Sequence, residues 1–205
     1  MSKYSQCVSV AKMNKKEFVT QIPEPFITRL LFADTRLAWV WLACRLYVGY
    51  FWIEVGWAKF RDPLWTGKHA GLAVKGFISS ALNKTGGAYP DVSHWYAAFL
   101  KDIVLPHTSL FSHLVTYGEL MVGVGLIVGA FTGIAALFGS MMNMSYMFAG
   151  ALSINPLMAL LQLFLILAWR IAGWLGADRY LLPLIGTPWH PGKLFKKQDD
   201  SSPED

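Results

Sequence analysis

Four long apolar stretches dominate this sequence and limit it to folds that a lipid bilayer can hold. They lie at 37–58, 113–131, 134–154 and 157–176. A helix that rises about 1.5 Å per residue needs about 20 apolar residues to cross about 30 Å of hydrocarbon. Charged residues make up only 15% of the chain, whereas soluble domains carry about 25%. We therefore predict an all-α membrane protein built as a four-transmembrane-helix bundle, and a soluble globular enzyme is disfavoured.

The distribution of basic residues predicts how the chain is oriented in the cell membrane. The segment 1–36 carries six Lys and Arg, the chain from Arg170 onward carries five, and the first loop, counted from Lys59, carries six. Four spans place both termini on one side, so eleven basic residues (six plus five) compare with six. Because basic flanks stay in the cytoplasm, we expect both termini there. The net charge of +5 then reflects membrane orientation, and no nucleic-acid partner is expected.

The sequence divides into a membrane domain with a polar segment at each end. We predict a cytoplasmic N-terminal segment with an interfacial lead-in at 1–36, a membrane domain at 37–189 and a disordered cytoplasmic tail at 190–205. The outer loop, 60–112, is too long to be only a connector. Apolar residues after Ser93 recur at the three- and four-residue spacing of a helix, so this loop should contain short amphipathic helices.

Polar residues interrupt the apolar stretches, and each needs a partner or water inside the membrane. Arg45 and Glu54 lie in the first stretch, Glu119 in the second and Asn143 in the third. Counting about 1.5 Å per residue from the span ends places Glu54 and Glu119 at one depth, with Arg45 and Asn143 nearer the inner side. Two carboxylates at one depth favour a shared proton, which suits proton transfer. Arg45, Glu54 and Glu119 are therefore candidate catalytic residues, and a purely structural ion-pair network is the alternative.

The sequence carries no motif for a tightly bound cofactor. Cys7 and Cys44 stand far apart, which excludes a Cys-x-x-Cys redox pair. Histidines and acidic residues lack the spacing of a metal site, and no Gly-rich nucleotide loop or flavin motif is present. His107 and His113 fit interfacial histidines better than haem ligands, because no other span offers a second histidine.

Three segments resemble the DoxX/DoxD family of membrane proteins. They are Arg45-Leu-Tyr-Val-Gly49 through Gly56-Trp-Ala-Lys59, then Gly118-Glu119-Leu-Met-Val-Gly123-Val-Gly125-Leu-Ile-Val-Gly129-Ala-Phe-Thr132 followed by Asn143, and Trp95-Tyr96-Ala-Ala-Phe99 through Leu105-Pro106. The last segment is similar to the large (DoxD) subunit of thiosulfate:quinone oxidoreductase. The resemblance implies four membrane helices and, for the DoxD branch, oxidation of thiosulfate to tetrathionate with transfer of electrons to quinone. Other members imply a different role, that of a non-catalytic membrane scaffold or assembly partner for redox or detoxification enzymes.

The resemblance also implies roles for individual residues. Glu119 would supply or relay protons to a quinone that is bound as electron acceptor, the only cofactor expected. The remaining candidates form a substrate-binding set, in which the basic residues attract thiosulfate and the tryptophans pack the quinone ring: Lys59, Arg61, His113, Asn143, Trp52 and Trp57. Expected partners are membrane lipid, quinone, a DoxA-like companion subunit and a second copy of the chain.

Overall fold

The computed structural model describes residues 25–185, and all regular secondary structure within them is helical. The helices are α1 (Phe26–Ala33), α2 (Ala38–Arg61), α3 (Leu72–Leu82), α4 (His94–Phe99), α5 (Thr108–Val128), α6 (Thr132–Phe148), α7 (Asn155–Leu167), α8 (Trp169–Ala172) and α9 (Asp178–Leu184). The all-α prediction is confirmed for this part of the chain. The predicted tail, 190–205, and most of the segment 1–36 lie outside the described residues.

Four helices, α2, α5, α6 and α7, pack around one apolar core. The most extensive contacts join α2 to α5 and α6 to α7, and further contacts join α5 to α6 and α2 to α7. Val48, Val122, Leu126 and Leu165 are among the buried residues that these helices share. Large apolar side chains remain exposed on the outer faces, as expected where lipid covers a protein.

Length and composition identify one membrane-crossing stretch within residues 25–185. It is the continuous helical segment His94–Val128, which includes α4 and α5. The helix α6 has 17 residues and α7 has 13, so both are shorter than the about 20 residues that a typical span needs. The structure thus has helices in all four predicted intervals, and membrane crossing by α2, α6 and α7 remains a prediction.

The fourth predicted interval, 157–176, is not one continuous helix. Helix α7 ends at Leu167, and only the short α8 follows before the chain turns at Gly173. This break leaves the carbonyl groups of Ala172 and Leu175 without helical partners. The guanidinium of Arg45 donates to both of them, which explains why the chain can break inside the protein.

The loop 60–112, predicted to lie on the outer side, folds into a cap over one end of the bundle. It contains α3 and α4, and a π-helical turn at Leu100–Val104 leads towards α5. A second apolar cluster holds the cap together, and its members include Val74, Ile78, Val92, Tyr96, Leu100 and Val104. The hydroxyl of Tyr96 donates to the carbonyl of Ser145 at 2.8 Å, which ties α4 to α6. The cap and the bundle are therefore fixed to each other.

Two glycines set the distance between α2 and α5. A Cβ atom on Gly123 would lie 2.8 Å from the backbone nitrogen of Ile53 and 3.0 Å from the carbonyl oxygen of Gly49. Both neighbours are backbone atoms, so they cannot move aside without moving α2. Small residues at such positions allow membrane helices to approach closely.

We expect Gly123→Ala to lower stability by about 1–3 kcal/mol, because the added methyl group pushes α2 away from α5. The matched control is Gly118→Ala on the same helix, where a Cβ would meet only the flexible side chain of Met142 at 3.6 Å. Alanine is the better helix former, so the control should be as stable as the original protein or slightly more so. Thermal unfolding in mild detergent measures both, and equal midpoints for the two variants would contradict the close-packing account.

Candidate functional site

Three helices bring a lysine, a glutamate and a tyrosine together beneath the cap. The ammonium of Lys59, at the end of α2, forms an ion pair with Oε1 of Glu119 on α5. The hydroxyl of Tyr146 on α6 donates to the same oxygen at 2.6 Å and accepts from Lys59 Nζ at 2.9 Å. Glu119 is fully buried, and only 14% of the Lys59 side chain is exposed. We call this group the Lys–Glu–Tyr cluster.

Local sequence explains how the cluster forms. Gly56 lies almost one turn before Lys59 on α2, and a Cβ atom there would stand 3.1 Å from Cβ of Glu119. Its lack of a side chain lets the glutamate approach α2. Aromatic rings complete the surroundings of the ammonium, which lies 4.7 Å from the ring centroid of Trp65 and 5.0 Å from that of Tyr146. Cation–π attraction and the carboxylate offset part of the lost hydration of Lys59.

A largely apolar cavity of about 200 Å³ adjoins the cluster. Its walls come from the cap, α5 and α6, and they include Trp65, Phe77, Tyr96, Leu100, Phe111 and Tyr146. Trp65 and Tyr146 belong both to this wall and to the surroundings of Lys59. Leu114, also on the wall, is 62% exposed, so the cavity reaches the outer apolar surface of α5. A few polar groups beside an apolar cavity are typical of a small-molecule site.

A second polar pair lies one turn further along the bundle. Nδ2 of Asn143 donates to Oε1 of Gln162 at 2.8 Å, and both side chains are buried. Asn143 is three residues before Tyr146 on α6, so it faces the same side of that helix. Neither residue of this polar pair lines the cavity.

The predicted catalytic trio is not brought together, and Arg45 lies at the opposite end of the bundle. Its Nη1 and Nη2 atoms donate to the carbonyls of Ala172 and Leu175, each at 3.2 Å. The guanidinium also occupies the space next to Gly129. Gly129 follows Glu119 by ten residues and lies at the end of α5, which corresponds to a distance of about 15 Å along the helix. Arg45 and Glu119 therefore do not pair.

An aspartate that sequence reasoning did not select completes the Arg45 end. The carboxylate of Asp178 accepts from the backbone nitrogens of Phe131 at 2.5 Å and Thr132 at 2.9 Å. These nitrogens open α6, whose N-terminal dipole favours a negative charge. The carboxylate also interacts electrostatically with Arg45. This end of the bundle is a structural junction of α2, α6 and α9.

Glu54 does not share a site with Glu119. It is exposed, and it precedes Gly56, the contact point of Glu119, by two residues. Two residues correspond to a rotation of about 200° around a helix. Equal depth in the membrane is therefore not enough for the predicted carboxylate pair, because the two side chains leave α2 in different directions.

The predicted substrate-binding set is divided by the structure. Lys59 belongs to the cluster, and Asn143 belongs to the second polar pair. Arg61 lies over the ring of Trp57 at 4.9 Å on the outer side of α2. His113 is half-buried beside Tyr117, with Nδ1 2.8 Å from the carbonyl oxygen of Ser109.

Neither predicted ring-binding tryptophan lines the cavity. Trp52 is buried in the bundle core and Trp57 is exposed.

Sequence reasoning missed Tyr146 and Trp65, which do line the cavity. The three-residue spacing from Asn143 is the signal that could have indicated Tyr146, whereas Trp65 lies in an irregular turn and gave no periodic signal.

Comparison with known proteins gives one family match. Residues 40–152 match the DoxX family model. The matched interval includes Lys59, Glu119 and Tyr146, so the whole cluster lies inside it, and it ends before Gln162. No curated protein and no solved structure shows a significant match.

Proposed function

Since the match spans more than half of its residues, this chain belongs to the DoxX family of membrane proteins, and we propose that it is an oxidoreductase subunit that passes electrons from thiosulfate, or a related sulfur compound, to quinone. Family membership itself indicates a redox-related role at a membrane. The proposal of quinone reduction rests on one observation, the apolar cavity whose wall includes Tyr146. The hydroxyl of this tyrosine is hydrogen-bonded to Glu119 and Lys59.

The cavity suits the ring of a quinone. Its aromatic walls match a flat apolar ring, and its volume of about 200 Å³ is below the range of about 300–1,000 Å³ for drug-sized ligands. A single substituted ring agrees with that size, and the exposed rim at Leu114 leaves a tail free to remain in lipid. Quinone supplies the electron-accepting chemistry when it is bound here.

The cluster supplies proton handling next to the ring. Two thiosulfate ions give tetrathionate and two electrons, and quinone takes up those two electrons and two protons to become quinol. The hydroxyl of Tyr146 is at the cavity wall, within hydrogen-bond distance of both Lys59 and Glu119. It can donate a proton towards the cavity and recover one from the Lys59 ammonium, which Glu119 holds in place. Lys59, whose side chain is 14% exposed, then regains a proton from water, and a second such transfer supplies the second proton of quinol.

Thiosulfate binding is assigned to a different surface, in contact with a DoxA-like companion subunit. The cavity is apolar, and transfer of an unpaired dianion into it carries a large desolvation cost. Lys59, which the sequence suggested as an anion attractor, already has Glu119 as its counter-ion. The companion subunit is therefore expected to supply the sulfur site, and this chain the quinone site.

We also propose the cell membrane as the location, with α2, α5, α6 and the α7–α8 pair each crossing it and both termini in the cytoplasm. The distribution of basic residues supports this arrangement. The cap, with α3 and α4, then lies on the outer side. Sulfur compounds arriving from outside meet that side first.

A non-catalytic scaffold for redox or detoxification enzymes is the second candidate. The observation in its favour is that Lys59, Glu119 Oε1 and Tyr146 satisfy one another without any ligand. In that case the cluster only stabilises the bundle, and its removal changes folding and partner recruitment but no reaction rate.

Tyr146→Phe should lower thiosulfate-dependent quinone reduction about 100-fold, because it removes the proton donor at the cavity wall. The assay follows quinol and tetrathionate formation by the chain with its companion subunit in nanodiscs. Tyr117→Phe, an exposed tyrosine on α5, is the matched control and should retain the original rate. Unchanged turnover in Tyr146→Phe, or none in the original protein with its companion, would rule out the quinone proposal and favour the scaffold.

A further inference from the structure

Three buried polar atoms at or near the cluster have no hydrogen-bond partner among residues 25–185. They are Oε2 of Glu119, Nε1 of Trp52 and Nε2 of Gln162. Each side chain is more than nine-tenths buried. A buried polar atom without a partner costs about 1–3 kcal/mol, and native proteins rarely leave one unsatisfied.

The three atoms come from three helices, α2, α5 and α7, and from adjacent turns of the bundle. Trp52 lies one turn before Gly56, the residue that packs against Glu119. Nε2 of Gln162 fills the space beside Gly139, where the side chain of Val122 is also found. Val122 is three residues after Glu119 on α5 and shares the core cluster with Trp52. Along the bundle axis, Trp52 and Gln162 therefore lie about one helical turn, about 5 Å, from the level of Glu119.

The chemistry of the three atoms identifies the ligand. A carboxylate oxygen only accepts hydrogen bonds, whereas an indole nitrogen and an amide nitrogen only donate them. The ligand must therefore both donate to Glu119 and accept from the other two. The negative charge of Glu119 disfavours an anion, and the two N–H donors disfavour a cation. Water meets these requirements, and buried waters commonly bridge such groups with about three hydrogen bonds.

An apolar layer closes this level on the side facing Arg45. Each bundle helix contributes one fully buried apolar residue to it: Val48, Leu126, Ala136 and Leu165. On each helix, this residue lies between one residue at the level of Trp52 and one at the level of Arg45. The pairs are Trp52 and Arg45, Val122 and Gly129, Gly139 and Thr132, and Gln162 and Ala168. We name these four residues the apolar layer. The apolar layer therefore separates the three unpartnered atoms from Arg45.

We propose that Glu119, Trp52 and Gln162 enclose an internal hydration site whose water exchanges protons with Glu119 and ends at the apolar layer. The existence of the site does not depend on quinone. Its use as a proton store for the cavity rests on the proposed function. Trp52 and Gln162 are then positioning residues that act through water, and Trp52 does not touch the ring.

Nuclear magnetic resonance can detect the water directly in the full chain in nanodiscs. With ¹⁵N-labelled tryptophan, the indole N–H of Trp52 should show a cross-peak to a long-lived water, and Trp52→Phe identifies its resonance. We expect the cross-peak to be lost in Gln162→Met, which at similar size removes the amide donor together with the oxygen that accepts from Asn143. It should persist in Trp57→Phe, the control on the outer side of α2. A folded original protein without this cross-peak would overturn the hydration site.

Steady-state kinetics test the role of the water separately. Trp52→Phe keeps an aromatic ring but removes Nε1–H, so kcat should fall at least several-fold while KM for quinone stays unchanged. A raised KM with unchanged kcat would instead show that Trp52 contacts the ring, and it would overturn the positioning role. If the original protein shows the cross-peak but no quinone reduction, the proposed function fails and the hydration site stands.

Discussion

Replacing Glu119 with leucine will lower the free energy of unfolding by about 3–5 kcal/mol, and adding Lys59→Met will restore most of that loss. The single change leaves an ammonium that is 14% exposed without its counter-ion. Removal of one partner of a buried pair is costly because the other charge stays desolvated, whereas removal of both can be close to neutral. The double variant removes both charges and leaves apolar groups of similar size, so the remaining loss comes from the Tyr146 hydroxyl, which no longer has Lys59 and Glu119 as hydrogen-bond partners.

A double-mutant cycle on the purified protein in detergent measures this coupling. The free energies of unfolding of both single variants, the double variant and the original protein are needed. Arg61→Met is the matched control, because Arg61 is an exposed basic residue near the end of the same helix. It should change stability by less than about 0.5 kcal/mol. If the losses of Glu119→Leu and Lys59→Met simply add, the ion pair does not stabilise the bundle.

Gly129→Ala will have the other large effect, again about 3–5 kcal/mol. Gly129 ends α5 in the left-handed region, with φ of 72°, where an alanine costs about 1–2 kcal/mol. Its Cβ atom would also overlap the guanidinium of Arg45. Arg45 would have to leave the carbonyls of Ala172 and Leu175, and hydrogen bonds to charged groups contribute about 1.5–3 kcal/mol each.

Gly87→Ala separates the two contributions. Gly87 also has a positive φ, 94°, but a Cβ atom there would have no neighbour within 4 Å. This control should therefore lose only the backbone contribution, about 1–2 kcal/mol. Thermal unfolding midpoints in detergent compare the two variants. Equal shifts would mean that Arg45 relocates without cost and that the junction at this end is not tightly packed.

The helices could be predicted from the sequence, but their pairing could not. Long apolar runs placed helices in the right intervals, because an apolar segment in lipid must satisfy its backbone internally. The break after Leu167 had no local signal strong enough to predict it. It depends on Arg45, which precedes it by more than 120 residues and binds the carbonyls that the break releases.

The depth of the site residues in the membrane could be predicted from the sequence, but the direction in which each side chain points could not. Glu119 and Lys59 were both singled out, but Lys59 was assigned to an incoming anion and Glu54 to the carboxylate pair. Depth follows from counting residues along one helix. The partner of a side chain depends on how neighbouring helices are rotated, which Gly56 and Gly123 decide through close contacts. Tyr146 joins the site for the same reason.

The apolar layer has a consequence for energy conservation in the membrane. Val48, Leu126, Ala136 and Leu165 separate the polar groups at the two ends of the bundle, so we expect no continuous conducting route for ions between those ends. Reduction of quinone at this site would therefore draw its protons from one compartment alone. A cell could hold many copies of the protein without dissipating the voltage that drives its ATP synthesis.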